Sequence, residues 1–221
     1  MINIKALEKF IFENNHMTDV IKDKLITNSK NRLCHHKVRF LNLLVSFMEG
    51  KIRNYLEIGV HNGCSMSYIV HNSNKLDNVV GIDLFEDTFY KDKLILEDIK
   101  KFINKNNTSN SKIHLIKGNS KDINTINKAK KISEKYDLIF IDGDHSYDGV
   151  KNDFNMVYNL LSENGILVFD DFNKNPIQRG VYKFVNELLN NQSKYFNGYY
   201  KFIDNTHTSN KYNDGIILFY K

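Results

Sequence analysis

The chain is predicted to fold as an α/β domain on a seven-stranded, mostly parallel sheet. Three observations carry that prediction. From residue 54 onward, short runs rich in Val, Ile and Phe alternate with longer stretches whose apolar residues recur at helical spacing, the pattern of strands joined by crossover helices. Several of these runs end in glycine or a carboxylate, the residues expected where strands stop and ligands bind. The last two runs flank a polar loop and read as a hairpin, which adds antiparallel pairing to a parallel sheet.

Residues 1–50 read as helical, in two or three pieces, because KALEKFIFENN and KVRFLNLLVSFMEG both carry apolar residues at helical period. They are expected to form a cap or lid on residues 51–221, with no linker composition marking an independent unit. NYLEIGV is the first strand, followed by a glycine-bearing turn and the helix CSMSYIVHN. NVVGIDLF is the second strand and KDKLILEDIKKFINKN its helix. The polar NTSNSK leads into KIHLIKG, the third strand. DINTINKAKKISEK is the helix before the fourth strand, DLIFID. DGVKNDFNMVYNLL is a helix, GILVFDDF the fifth strand, and RGVYKFVNELLNN a helix. YYKFID and GIILFYK are the sixth and seventh strands, around NTHTSNKYND.

Composition excludes some classes of function. The chain has 221 residues, 41% hydrophobic and 26% charged, and a net charge of +5 from lysines spread along its length. No dense basic block with interleaved aromatics is present, so no nucleic-acid partner is expected. No apolar run approaches the roughly 20 residues needed to span a bilayer, and the N-terminus lacks a cleavable signal pattern. A cytoplasmic protein with no membrane partner is the expectation. The two cysteines, Cys34 and Cys64, have no metal-binding spacing and fit a reducing compartment.

The first strand runs into Glu57-Ile58-Gly59-Val60-His61-Asn62-Gly63. Glycines at a strand-to-helix turn let a ligand approach the backbone, and the helix start offers unpaired N–H groups. A dinucleotide site would want G-x-G-x-x-G here; His61 stands where the second glycine belongs, which argues against a nicotinamide enzyme. Asp83 closes the second strand, about twenty residues on, where an acid holds ribose hydroxyls.

The pattern E-I-G-x-x-x-G with an acid at the end of the next strand resembles the class I S-adenosylmethionine-dependent methyltransferases, over roughly residues 50 to 221. The resemblance implies their Rossmann-like fold and S-adenosylmethionine as cofactor. It implies that Glu57 and the backbone of Gly59 and Gly63 hold the amino-acid part of that cofactor. Asp83 would take the ribose hydroxyls, Leu84 or Phe85 would lie against the adenine, and the turn with Asn119 and Ser120 would contact the same ring.

A second constellation lies at the ends of the fourth and fifth strands. Asp142, Asp170 and Asp171 would collect at one sheet edge beside His145, a site for Mg2+ or another divalent cation with a base at hand. Each residue also has a plainer reading: Asp142 as a helix cap, His145 as a solvated loop residue, Asp170 and Asp171 as strand-end acids contacting cofactor alone. Asp144, between Asp142 and His145, is expected to face away or toward the cofactor. I-D-G-x-H after strand four, with paired acids after strand five, resembles the metal-dependent sugar O-methyltransferases and the methyltransferase-24 group. That resemblance implies Asp142, Asp170 and Asp171 as metal ligands and His145 as base, with Asp142 able to share both the base and the cofactor role. A sugar hydroxyl is a poor nucleophile, so a cation that lowers its pKa and an imidazole of pKa about 6.5 that accepts its proton make a coherent pair.

The implied activity is metal-assisted methyl transfer to a hydroxyl of a small molecule, a saccharide first and a catechol second. A non-catalytic cofactor-binding module and a nicotinamide enzyme are the other readings. Acceptor contacts are sought in Tyr147, in Phe172-Asn173-Lys174, in His207 and Lys211, and in His35, His36 and Arg39. The aromatic tail (Tyr195, Phe196, Tyr199, Tyr200, Phe202) reads as packing, and the apolar N-terminal helices as a lid or the interface of a homodimer.

Overall fold

The computed structural model describes residues 2–14, 35–73, 75–86, 95–173, 179–204 and 214–221. Their order is α1 (Ile4–Glu13), α2 (His35–Phe47), β1 (Asn54–Ile58), α3 (Cys64–Asn72), β2 (Asn78–Asp83), α4 (Leu96–Lys105), β3 (Lys112–Lys117), α5 (Ile123–Ile132), β4 (Tyr136–Ile141), α6 (Tyr147–Val157), β5 (Leu161–Phe169), α7 (Arg179–Asn190), β6 (Gly198–Asp204) and β7 (Asp214–Tyr220), with short 3-10 turns after α6 and α7. Part of the helix expected over 91–106 and the loop of the closing hairpin lie outside the described residues.

All seven strands form one sheet in the order β3-β2-β1-β4-β5-β7-β6. β1 to β5 pair in parallel, and β7 pairs antiparallel with both β5 and β6. The closing hairpin therefore does not just extend the sheet in chain order: β7 is inserted and β6 forms the edge. Burial explains the choice. Ile216, Ile217, Leu218 and Phe219 of β7 are all buried, so that strand needs neighbours on both sides and helices on both faces. β6 alternates exposed Tyr199, Lys201 and Ile203 with buried Phe202, as suits an edge.

Strand side chains alternate between two cores. On one face Tyr55, Leu138, Phe140, Ile166, Val168 and Leu218 pack with Leu7 and Ile11 of α1, Phe40, Leu41 and Leu44 of α2, and residues of α3 and α4. On the other, Leu56, Ile139, Ile141, Leu167, Phe169 and Phe219 pack with α5, α6 and α7. Each fully buried Phe or Leu contributes about 1.5–3 kcal/mol. The N-terminal helices thus complete one helical layer and share its core with the sheet. α7 buries Val181, Phe184, Val185 and Leu188, a stripe at helical spacing. Ser146 and Asp122 cap α6 and α5 by accepting from the Gly149 and Asn124 amides. Among the described residues, no helix is long and apolar enough to cross a membrane.

Register positions the site. Ile58 lies opposite Ile141, and Ile141 opposite Phe169. The ladder continues one step beyond the strands, the Asp142 amide donating to Ile58 (2.8 Å) and that of Asp170 to Ile141 (3.1 Å). Gly59, Asp142 and Asp170 consequently stand side by side at the carboxyl edge.

Candidate active site

The β1–α3 turn is shaped by backbone conformation. Gly59 has φ +91°, and a Cβ there would run into the Asp142 carbonyl oxygen; Gly63 has φ +78° and is the N-cap of α3. Both conformations belong to the left-handed region that glycine enters without penalty. His61, at φ 48°, is held in the same region, its amide donating to Asp83 Oδ2 (2.8 Å). Asp83 Oδ1 accepts from the Phe85 amide (2.6 Å), so the acid at the end of β2 is oriented by two main-chain donors from different loops. Leu84 is half exposed beside it, whereas Phe85 turns into the core.

Glu57 is fully buried directly below this turn. Tyr55, two residues back on the same face, donates to Oε2 (2.6 Å), and Ser65 of α3 donates to Oε1. Burial raises the Glu57 pKa, the two hydroxyl donors oppose that, and the nearby Asp142 charge adds to it; the result is about 8. On the far side of the sheet edge, Ser120 donates to Asp153 of α6 (2.6 Å), a buried carboxyl that burial pushes up to about 6. Asn119 closes its own turn by accepting from the Lys121 amide (2.9 Å).

The acids of β4 and β5 form a separate group. His145 lies between two of them, Nδ1 3.1 Å from Asp171 Oδ2 and Nε2 3.5 Å from Asp142 Oδ1. Asp171 has φ 54°, a conformation that Asp tolerates better than most residues, and the turn it makes is followed by the Phe172 amide donating to Gly215 (2.8 Å). One donor atom each from Asp142, His145 and Asp171 lies within 4.8 Å of the others, a spacing able to hold a metal ion. Two carboxylate oxygens and an imidazole nitrogen suit a borderline divalent cation such as Mn2+ better than Mg2+, which takes oxygen ligands. Asp170 turns elsewhere: its Oδ2 lies 2.9 Å from Lys37 Nζ, which also pairs with Asp142 Oδ2.

Charge in this group is unevenly shared. Partial burial would lower the His145 pKa, but the hydrogen bond to Asp142 and the fields of Asp171, Asp142 and Asp170 outweigh it and raise the pKa to about 9. The imidazole therefore holds a proton at neutral pH in this arrangement. Burial, with Asp170 and Asp142 adding to it, also pushes the Asp171 carboxyl up.

Comparison with known proteins gives these positions a family. A family model for a methyltransferase domain, of the methyltransferase-24 group, matches residues 56–172. Uncharacterized protein R132 of Acanthamoeba polyphaga mimivirus is 32% identical over 162 residues, 73% of this chain and 71% of that protein. The chain belongs to the class I S-adenosylmethionine-dependent methyltransferases. Solved structures share the fold at low identity. An O-methyltransferase from Bacillus cereus, in complex with S-adenosylhomocysteine, superposes with a TM-score of 0.63 at 16% identity, covering 97% of this chain and all (100%) of the other. The O-methyltransferase TomG from Streptomyces achromogenes, in complex with S-adenosylmethionine, gives 0.60 at 14% identity with 100% of both chains covered.

Within this methyltransferase, Gly59, Gly63, Glu57 and Asp83 cluster at the ends of β1 and β2, and Asp142, His145, Asp170 and Asp171 at those of β4 and β5. Asp144 leaves the acid group: it is exposed, accepts from the Ser146 amide (2.9 Å) and pairs with Lys121 (2.8 Å), on the side of the Asn119–Ser120 turn. Tyr147 is engaged on the outer surface, where it donates to Glu187. Phe172 is buried against Tyr182, their ring centroids 5.3 Å apart, and Asn173 and Arg39 are buried too. In the aromatic tail, Phe196 packs on Phe219 and Phe202 on Phe40. Lys174, His207, Lys211, Cys34 and the side chains of His35 and His36 lie outside the described residues. Three participants carry little sequence signal. Tyr55 and Ser65 become visible only once the two-residue spacing to Glu57 and the start of α3 are placed together. Lys37 has none, being 105 residues from Asp142.

Proposed function

We propose that this methyltransferase transfers a methyl group from S-adenosylmethionine to a hydroxyl oxygen of a small molecule, assisted by a divalent cation. The observation that carries the proposal is the convergence of Asp142, His145 and Asp171 beside the Gly59 turn. The residues of the β1 and β2 ends fit the cofactor: a left-handed glycine at a helix start, and an acid fixed by two amides for the ribose hydroxyls. The cofactor supplies an electrophilic methyl on a sulfonium, so the protein's task is alignment of the acceptor oxygen. A divalent cation at Asp142, His145 and Asp171 would supply Lewis-acid polarisation of that hydroxyl. An imidazole that holds the cation cannot also take the hydroxyl proton, so His145 would serve as the base only where the carboxylates hold the cation without it.

A saccharide is the acceptor class we propose first, and a catechol second, because vicinal hydroxyls can chelate one cation in either. The experiment is calorimetric titration with S-adenosylhomocysteine, with and without Mg2+, followed by transfer of labelled methyl to sugar and catechol panels with and without chelator. Cofactor binding with chelator-sensitive transfer supports the reading. Transfer indifferent to chelator removes the cation from it, and absence of cofactor binding overturns it.

A further inference from the structure

We infer that Lys37 and a divalent cation are alternative occupants of the space between Asp142 and Asp170, so that loading the cation expels the Lys37 ammonium. The inference rests on the cation reading proposed above and adds to it a built-in competitor from the N-terminal layer. Lys37 Nζ pairs with Asp142 Oδ2 and lies 2.9 Å from Asp170 Oδ2. The seat is enclosed: the side chains of Lys37, Asp142 and Asp170 are 16%, 11% and 2% exposed. A Mg2+ ion using both carboxylates would need oxygens at about 2.0–2.1 Å, which puts it in the volume the ammonium fills. Two cations cannot share those oxygens in so dry a place without strong repulsion.

Lys37 is also built to leave. It lies in the first turn of α2, while Phe40, Leu41, Leu43 and Leu44 anchor the helix in the core. A flexible four-carbon stem can therefore withdraw its strongly hydrated head toward water while the helix stays on the sheet. Without a cation, Lys37 offsets the mutual repulsion of Asp142, Asp170 and Asp171, whose side chains are 11%, 2% and 10% exposed. Asp142 Oδ1, His145 and Asp171 remain as the group a cation meets first, and full coordination through Asp170 then requires the ammonium to go.

The test uses the full chain stripped of metal, with Mn2+ as the probe. Affinity is read by calorimetry and by loss of the free-Mn2+ spin-resonance signal, for wild type, Lys37→Met and Lys37→Arg. Acetylation of Lys37 in wild type, followed by mass spectrometry, is read with and without saturating Mn2+. Competition predicts Mn2+ binding at least ~10-fold tighter in Lys37→Met, and by reciprocity a several-fold faster acetylation of Lys37 when Mn2+ is bound. Lys37→Arg keeps a cation in the seat and is expected to stay near wild type. A lysine that merely stands near the acids would also give tighter binding on removal, through lost repulsion, but would show no change in its own acetylation when Mn2+ binds. Mn2+ binding only to Lys37→Met supports the inference in its strongest form. If Lys37→Met does not fold, acetylation of wild type decides alone. Mn2+ binding to wild type with Lys37 equally protected throughout overturns the inference and leaves the cation reading standing. Absence of Mn2+ binding in every chain that folds overturns both.

Discussion

The two halves of the carboxyl edge are held by different means. At the ends of β1 and β2, the geometry comes from main chain: left-handed glycines, and an Asp83 whose two oxygens accept backbone amides from His61 and Phe85. At the ends of β4 and β5, side chains hold one another: His145 bridges Asp142 and Asp171, and Lys37 bridges Asp142 and Asp170. Main-chain geometry tolerates a change of charge but not of Cβ. The side-chain group tolerates small changes of shape but not the loss of a charge from a nearly balanced set.

The largest expected effect breaks the second half. Asp142→Asn removes one charge from His145, from Lys37 and from the candidate cation site, and is expected to lower kcat/KM by about 100-fold or more. S-adenosylhomocysteine affinity should stay within about threefold if the two halves are as separate as their construction suggests. Parallel loss of both in calorimetry and turnover assays would show a single unit. Gly59→Ala is the corresponding break in the first half. Its φ of +91° and the Asp142 carbonyl in the path of a Cβ predict a loss of about 2–4 kcal/mol in stability, read as a fall of several degrees in Tm.

A subtler effect lies beneath both halves, at Glu57. Its folded-state pKa of about 8 is above the ordinary 4.5, so the folded chain binds that proton more tightly than the unfolded one. Stability is therefore lost as pH rises from 4.5 to 8 and is level in this contribution outside that window. Glu57→Gln keeps the shape without the charge and should flatten the fall in Tm between pH 5 and pH 8; thermal melts with the parent's slope would place the proton elsewhere. The smallest effect is reserved for Asp144→Asn. An exposed pair with Lys121 is worth less than about 1 kcal/mol, and Asn can still accept from the Ser146 amide. Unchanged melting and near-parental turnover are expected, and a tenfold loss of turnover would bring Asp144 into the site.

Much of this was legible in the sequence for a physical reason. Parallel strands buried on both faces must be continuously apolar, so DLIFID and GILVFDD announce both themselves and their ends. Acids and glycines after such strands fall at one edge by topology alone, which placed Glu57, Gly59, Gly63, Asp83, Asp142, His145, Asp170 and Asp171 correctly along the carboxyl side. What topology does not specify is where each side chain turns once it reaches that edge. Asp170 and Asp171 are neighbours in sequence, yet one faces Lys37 and the other His145; the positive φ of Asp171 marks the turn between them. Likewise the order of β6 and β7 follows from which strand can bear an exposed edge, a comparison of burial between two strands rather than a pattern within either. By itself the sequence determined the sheet, its helices and the strand ends, because periodicity and strand-end chemistry are local. Only the tertiary structure brought Lys37 across 105 residues into the acids, because an ion pair between distant segments leaves no periodic trace in either one.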